Sequence, residues 1–131
     1  MKNDQIELLG KQIVSSAYYV HKEMGPGLLE SIYQTCLSEE LLFRGVHVDR
    51  EVLIPLFYRD KPVHKDFRID LLVEKEIILE IKAIEAIAPV HFAQILSYLK
   101  LGDKWLGFLL NFNVPVMKEG IRRVVNGFPR E

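Results

Sequence analysis

Two apolar runs, Ile69 to Val73 and Ile77 to Ile81, are separated only by the charged triplet Glu74-Lys75-Glu76. Strand-like runs joined by so short a polar break read as a β-hairpin. With Lys75 at the turn centre, Asp70 lies opposite Glu80, and Arg68 opposite Lys82. Side chains alternate between faces along a strand, so Glu80 and Lys82 share one face while Ile81 points to the other. Ile69, Leu71, Val73, Ile77, Leu79 and Ile81 then make an all-apolar face. The charged face carries two carboxylates roughly 4.5–5.5 Å apart at Cβ, with the Lys82 amine one step along. Like charges placed opposite one another destabilise a sheet unless a cation sits between them. Mg²⁺ is the obvious cation for a site of oxygen ligands.

At 131 residues the chain reads as one domain, 1–131. Hydrophobic residues make up 49%, enough to bury a core and too many for disorder. No apolar run reaches the roughly 18 residues of a membrane helix. Met1-Lys-Asn-Asp-Gln lacks the layout of a signal peptide, and the single Cys36 permits no internal disulfide. A cytoplasmic protein without membrane contact is therefore expected. Cys36 reads as a small core residue on a helix. The net charge of −1 counts against binding nucleic acid through a global positive field. A local basic rim remains open, because basic residues gather at Arg44, Arg50, Arg59, Lys61, Lys65 and Arg68.

Residues 4–24 carry Ile6, Leu9, Ile13, Ala17, Val20 and Met24 at helical spacing, and Gly25-Pro-Gly27 ends that helix. A second helix is expected from Leu28 to about Arg44, burying Leu29, Ile32, Cys36 and Phe43, helped by Leu37 and Leu41. Val46 to Tyr58 alternates as a half-buried strand, with Pro55 marking a bulge or an edge. The hairpin of Asp66 to Ile84 follows, then a helix over Val90 to Leu101 closed by Gly102. Trp105 to Phe112 is apolar enough for a central strand covered on both faces. The tail from Val116 to Val125 fits a short helix or, better, an edge strand. The expected fold is α/β (α+β): a mixed sheet with helices on both faces.

Asp70 followed by Glu80-Ile81-Lys82 resembles the signature of the PD-(D/E)xK phosphodiesterases, although Ile69 stands where their proline would be. Gly27-Leu-Leu-Glu30-Ser-Ile-Tyr33 resembles the GxxExxY motif that names one small branch, and Gln94-Ile-Leu-Ser-Tyr98 is similar to the Gln-x-x-x-Tyr helix of RecB-type nucleases. The resemblance spans nearly the whole chain. It implies a restriction-endonuclease-like αβββαβ core with an extra N-terminal helix. It also implies a metal-dependent nuclease in which Asp70, Glu80 and the Ile81 carbonyl bind Mg²⁺ or Mn²⁺. Lys82 would orient the attacking water and Gln94 would reach Lys82 or that water. Glu30 would bring an acid to a second metal, and His21 would be a reserve metal ligand. The implied partner is nucleic acid, DNA more than RNA, with a homodimer or protein partner supplying further surface.

Several of these residues also have plain structural readings. Glu30 suits a helix N-terminus through the helix dipole, as the third helical residue if Gly27 is the cap. Tyr33 either hydrogen-bonds at the site or packs. Phe92, Ala93, Leu96 and Leu99 suggest that the helix carrying Gln94 and Tyr98 is buried on more than one side, so that a buried Gln94 needs partners. Tyr98 at that spacing also fits core. His21 suits the last turn of its helix. Lys65, Arg68 and Lys100 are candidate phosphate contacts, and Asn111-Phe-Asn113 reads as turn chemistry. The rival to a hydrolase is a catalytically weak or inactive nucleic-acid- or protein-binding module that retains the fold.

Overall fold

The computed structural model describes residues 1–63 and 67–127; Lys65 and the first hairpin residue, Asp66, lie outside them. The first helix, α1 (Asn3–Met24), buries Ile6, Leu9, Ile13, Ala17 and Val20, and turns Met24 outward. The second, α2 (Glu30–Phe43), differs from expectation in its buried stripe. Tyr33, Leu37 and Leu41 face the core, with Gln34 and Ser38 beside them, while Leu29 is 71% and Phe43 87% exposed. The spacing of four along Tyr33, Leu37 and Leu41 keeps one face inward; Leu29 lies outside the helix and Phe43 at its frayed end. Cys36 is half-buried at the border of that stripe rather than in the core.

The expected long strand is broken. β1 (Val48–Leu53) stops before Pro55, which has no N–H to give to a ladder. The chain then forms a separate ribbon of β2 (Phe57–Tyr58) and β3 (Lys61–Pro62). Tyr58, expected on a buried parity, is exposed on that ribbon. β4 (Arg68–Val73) and β5 (Ile77–Lys82) follow, then α3 (Pro89–Leu101), β6 (Leu106–Asn111), a 3-10 turn at Met117–Gly120 and β7 (Ile121–Val125). The sheet order is β1-β4-β5-β6-β7, with β5 and β6 parallel and the other neighbours antiparallel. The α3 crossover is what a parallel neighbour requires.

Helices cover both faces. On one, α1 and α2 pack Ile13, Tyr33 and Leu37 against Leu71, Val73, Leu79, Ile81 and Phe108. On the other, Ile95, Tyr98 and Leu99 of α3 pack on Ile78. Gly107 lets α3 approach: a Cβ there would stand 3.0 Å from the Ile78 carbonyl and 3.1 Å from Ile95 Cδ1.

Ile69 departs from the expected face. It packs with Ile54, Ile78, Ile95, Tyr98 and Leu99, opposite Leu71 and Val73. Its β1 partner, Val52, sits in the same cluster and follows Glu51, which has a left-handed φ of 51°. Among the described residues no helix is long and apolar enough to cross a membrane. The whole arrangement is an α/β fold with an αβββαβ core of restriction-endonuclease type and one added N-terminal helix.

Candidate functional site

The β4–β5 turn fixes the site. Glu74 and Lys75 take left-handed φ values of 51° and 58°, and the Glu76 N–H closes the turn on the Val73 carbonyl at 2.9 Å. The ladder then runs Val73 with Ile77, Leu72 with Ile78 and Leu71 with Leu79, the register centred on Lys75. One step further the strands are joined by carboxylates. The Asp70 N–H donates to Glu80 Oε2 at 2.9 Å, and the Ile81 N–H donates to Asp70 Oδ2 at 2.8 Å. Ile81 itself points into the core, as expected.

Glu80 is only 4% exposed, and Asp70 is half-buried. Burial raises the Glu80 pKa to about 8, and the neighbouring Asp70 charge adds to the rise. The Asp70 N–H and the Lys82 ammonium oppose it. Asp70 is also raised, again chiefly by burial, with Glu30 and Glu51 adding to it and the Ile81 N–H and Lys82 opposing. Glu30 is thus close enough to act on both carboxylates. It is the first residue of α2, with Leu29 as the cap, not the third as expected.

Two further side chains reach the pair. Tyr98 is buried, and its phenol is pushed up by burial and by the charges of Glu80 and Asp70. Gln94 lies close enough to that hydroxyl to oppose the rise. Gln94 is nevertheless exposed, because α3 turns only Ile95, Tyr98 and Leu99 fully inward. Gln34, which sequence reasoning passed over, donates from Nε2 to the Asp70 carbonyl at 3.3 Å. Its signal was available: it lies four residues after Glu30, on the same helix face.

Other candidates are placed elsewhere. Tyr33 is fully buried; its hydroxyl donates to the Gly25 carbonyl at 2.5 Å and accepts from the Leu28 N–H at 3.1 Å. Its ring stacks on Phe112 at 4.7 Å. Tyr33 therefore packs and pins the loop that leads into Glu30. His21 Nε2 hydrogen-bonds the Val114 carbonyl at 2.8 Å, which ties α1 to the loop after β6. Arg68 is exposed and pairs with Glu51 at 3.2 Å. Asn111 fixes the chain after β5: its side chain accepts from the Ile84 N–H at 3.1 Å and donates to the Ile84 carbonyl at 3.0 Å.

Asp70 and Glu80 fit a hard cation in donor chemistry, and each carboxylate has a second oxygen beyond the one bound to main chain. Among the described residues, however, no group of three or more His, Cys, Asp or Glu is placed to hold a metal ion. Beside the pair, the Ile81 carbonyl is a further oxygen, on the same strand edge as the Ile81 N–H. A cavity of about 410 Å³ lies instead between α1 and α2, lined by Tyr19, Cys36 and Phe43 among others.

No curated protein and no solved structure matches this chain. A family model, that of the PD-(D/E)XK nuclease superfamily, matches residues 7–124 and so takes in every strand described above up to Val124. With the carboxylate pair and Lys82 inside that span, the chain belongs to the PD-(D/E)XK nuclease superfamily.

Proposed function

We propose that this chain is a nuclease-fold module that binds nucleic-acid phosphates at the Asp70–Glu80–Lys82 face, with hydrolysis weak or absent in the chain alone. One observation carries the reading. Each of the two carboxylates spends an oxygen on the opposite strand's main chain, and no third ligating side chain joins them among the described residues. Lys82, and Arg68 beside its ion pair with Glu51, supply cationic groups near that face. The stretch Gly27 to Tyr33 supports placing the chain in the GxxExxY branch. A cytoplasmic location fits the same reading.

A second reading, metal-dependent phosphodiester hydrolysis, is favoured by the raised pKa values of Asp70 and Glu80. Such a pair is relieved by a cation, and Asp70, Glu80 and the Ile81 carbonyl would hold it. Mg²⁺ or Mn²⁺ there would supply Lewis acidity and an activated water. Lys82 would orient the water and offset charge on the phosphoryl oxygens. Tyr98 and Gln94 would hold the inner side of the pair in place.

A panel of single- and double-stranded DNA and RNA, assayed for both binding and cleavage with Mg²⁺ or Mn²⁺, separates the two. Binding that weakens in Lys82→Ala without any turnover supports the module. Metal-dependent turnover that falls about two to four orders of magnitude in Lys82→Ala, with the fold intact, makes the chain a hydrolase instead.

A further inference from the structure

The β2–β3 ribbon stands off the sheet with its aromatic residues in solvent. Phe57 is 61% and Tyr58 68% exposed, and Arg59 and Lys61 are exposed beside them. In the ribbon's register Tyr58 pairs with Lys61 and Phe57 with Pro62. Directly paired residues share a face, so one face presents the Tyr58 ring with the Lys61 ammonium next to it. The Arg59 guanidinium lies 5.9 Å from the centre of the same ring.

The turn itself is costly. Arg59 and Asp60 have φ values of 51° and 64°. A two-residue hairpin loop of this kind favours Asn-Gly or Asp-Gly, because both central residues must be left-handed. Asp tolerates that conformation; Arg gains nothing from it. A strained residue that keeps a guanidinium at a ribbon tip, over an exposed ring, points to use of that group. The ribbon is also rooted at the site. Leu53, at the end of β1, pairs with Arg68, two residues before Asp70 on β4.

We infer that the β2–β3 ribbon is a binding arm for single-stranded nucleic acid, with Tyr58 stacking on a base and Arg59 and Lys61 contacting its phosphates. An exposed ring flanked by two cations suits an unpaired base, whose π-face is open, and a backbone carrying one charge per nucleotide. A duplex buries its base faces and offers the ring nothing equivalent. The arm would supply cationic surface that a chain of net charge −1 otherwise lacks as a whole. This inference rests on the nucleic-acid reading proposed above, whose substrate class it narrows.

The test is fluorescence anisotropy with a labelled 20-nucleotide oligothymidylate and with a 20-base-pair duplex, using the whole chain. Tyr58→Ala is expected to weaken single-strand binding roughly five- to a hundredfold, the loss for one stacked base, and to change duplex binding much less. Tyr58→Trp should restore it. Arg59→Asn should weaken binding and lower the salt slope by about 0.7, while leaving thermal stability equal or higher because Asn suits the turn. Tyr58 and Arg59 are both exposed, so the variants should fold, and circular dichroism checks this. Wild-type binding that depends on Lys82 but not on Tyr58 or Arg59 would overturn the arm and leave the site reading standing. Binding that depends on Tyr58 but not on Lys82 would keep the arm and sink the site reading. A wild-type chain that binds neither oligonucleotide overturns both.

Discussion

Asp70 and Glu80 hold each other's strands: Glu80 Oε2 accepts the Asp70 N–H, and Asp70 Oδ2 accepts the N–H of Ile81, next to Glu80. Two carboxylates so close, one nearly buried, cannot both ionise cheaply, and Glu80 is raised to about 8. A folded pKa above the unfolded value means that the native state holds the proton longer. The metal-free protein should therefore be most stable at or below about pH 4.5 with respect to this group, and lose stability as pH climbs to about 8. At about 1.4 kcal/mol per unit of displacement, the total is on the order of a few kcal/mol. Thermal melts across that window should show the decline in wild type and a flatter profile in Glu80→Gln.

Divalent cations should reverse that slope. Ligation requires Glu80 to give up its proton, so binding tightens as pH rises. Calorimetry with Mn²⁺ or Mg²⁺ is expected to show binding at pH 8 that is lost in Asp70→Ala and Glu80→Ala and weakened less in Glu30→Ala. Metal at a hundred times its dissociation constant should add about 2.7 kcal/mol of stability. Should Asp70→Asn stabilise the protein while no metal does, the pair is a structural charge cluster.

Gln34 and Tyr33 sit side by side on α2 but should fail differently. Gln34→Leu removes the donor to the Asp70 carbonyl. A loss of about 1 kcal/mol of stability is expected, together with weaker metal binding. Tyr33→Phe keeps the stack on Phe112 but strands the Gly25 carbonyl and the Leu28 N–H. It should cost about 1–3 kcal/mol in denaturant unfolding and leave metal affinity close to wild type.

Gly120 is the most tightly enclosed glycine of the chain. A Cβ there would lie 1.9 Å from the Asn111 carbonyl oxygen. Gly120→Ala must push the 3-10 turn off the end of β6, where Asn111 also clasps Ile84. A loss of roughly 3 kcal/mol or more is expected, at the severe end for a single substitution. Gly107→Ala, whose new contacts are 3.0 Å and longer, should cost less, about 1–3 kcal/mol.

The hairpin register was legible because two apolar runs and a charged triplet leave one turn centre, and the apolar face then follows for every residue but Ile69. The strand after Gly45 was less so. Pro55 announced an interruption, but the left-handed φ of Glu51 has no sequence signature, and beside it the paired Val52 and Ile69 pack on the α3 face. On α2, apolar character misled: Leu29 and Phe43 are exposed, whereas Gln34 and Ser38 are buried. Gln34 enters the core because Asp70 offers it a carbonyl, a partner contributed by a strand 36 residues away, whereas the buried Ser38 hydroxyl has no such partner among the described residues. Gln94 shows the converse. Apolar neighbours on all sides suggested burial, yet the short α3 rests on the sheet by a narrow stripe.

The rims of the sheet carry their own consequence. β1 shows Arg50 and Glu51 to solvent and takes a left-handed φ at Glu51; β7 shows Arg122 and Arg123. Charged and kinked borders resist the addition of a stranger's strand. Growth by continuing the five-stranded sheet into a neighbour is thereby disfavoured at both ends, which guards the folded chain against edge-to-edge aggregation. The helix faces, with Tyr19 and Phe43 already in the open, are left as surfaces on which another protein can be seated.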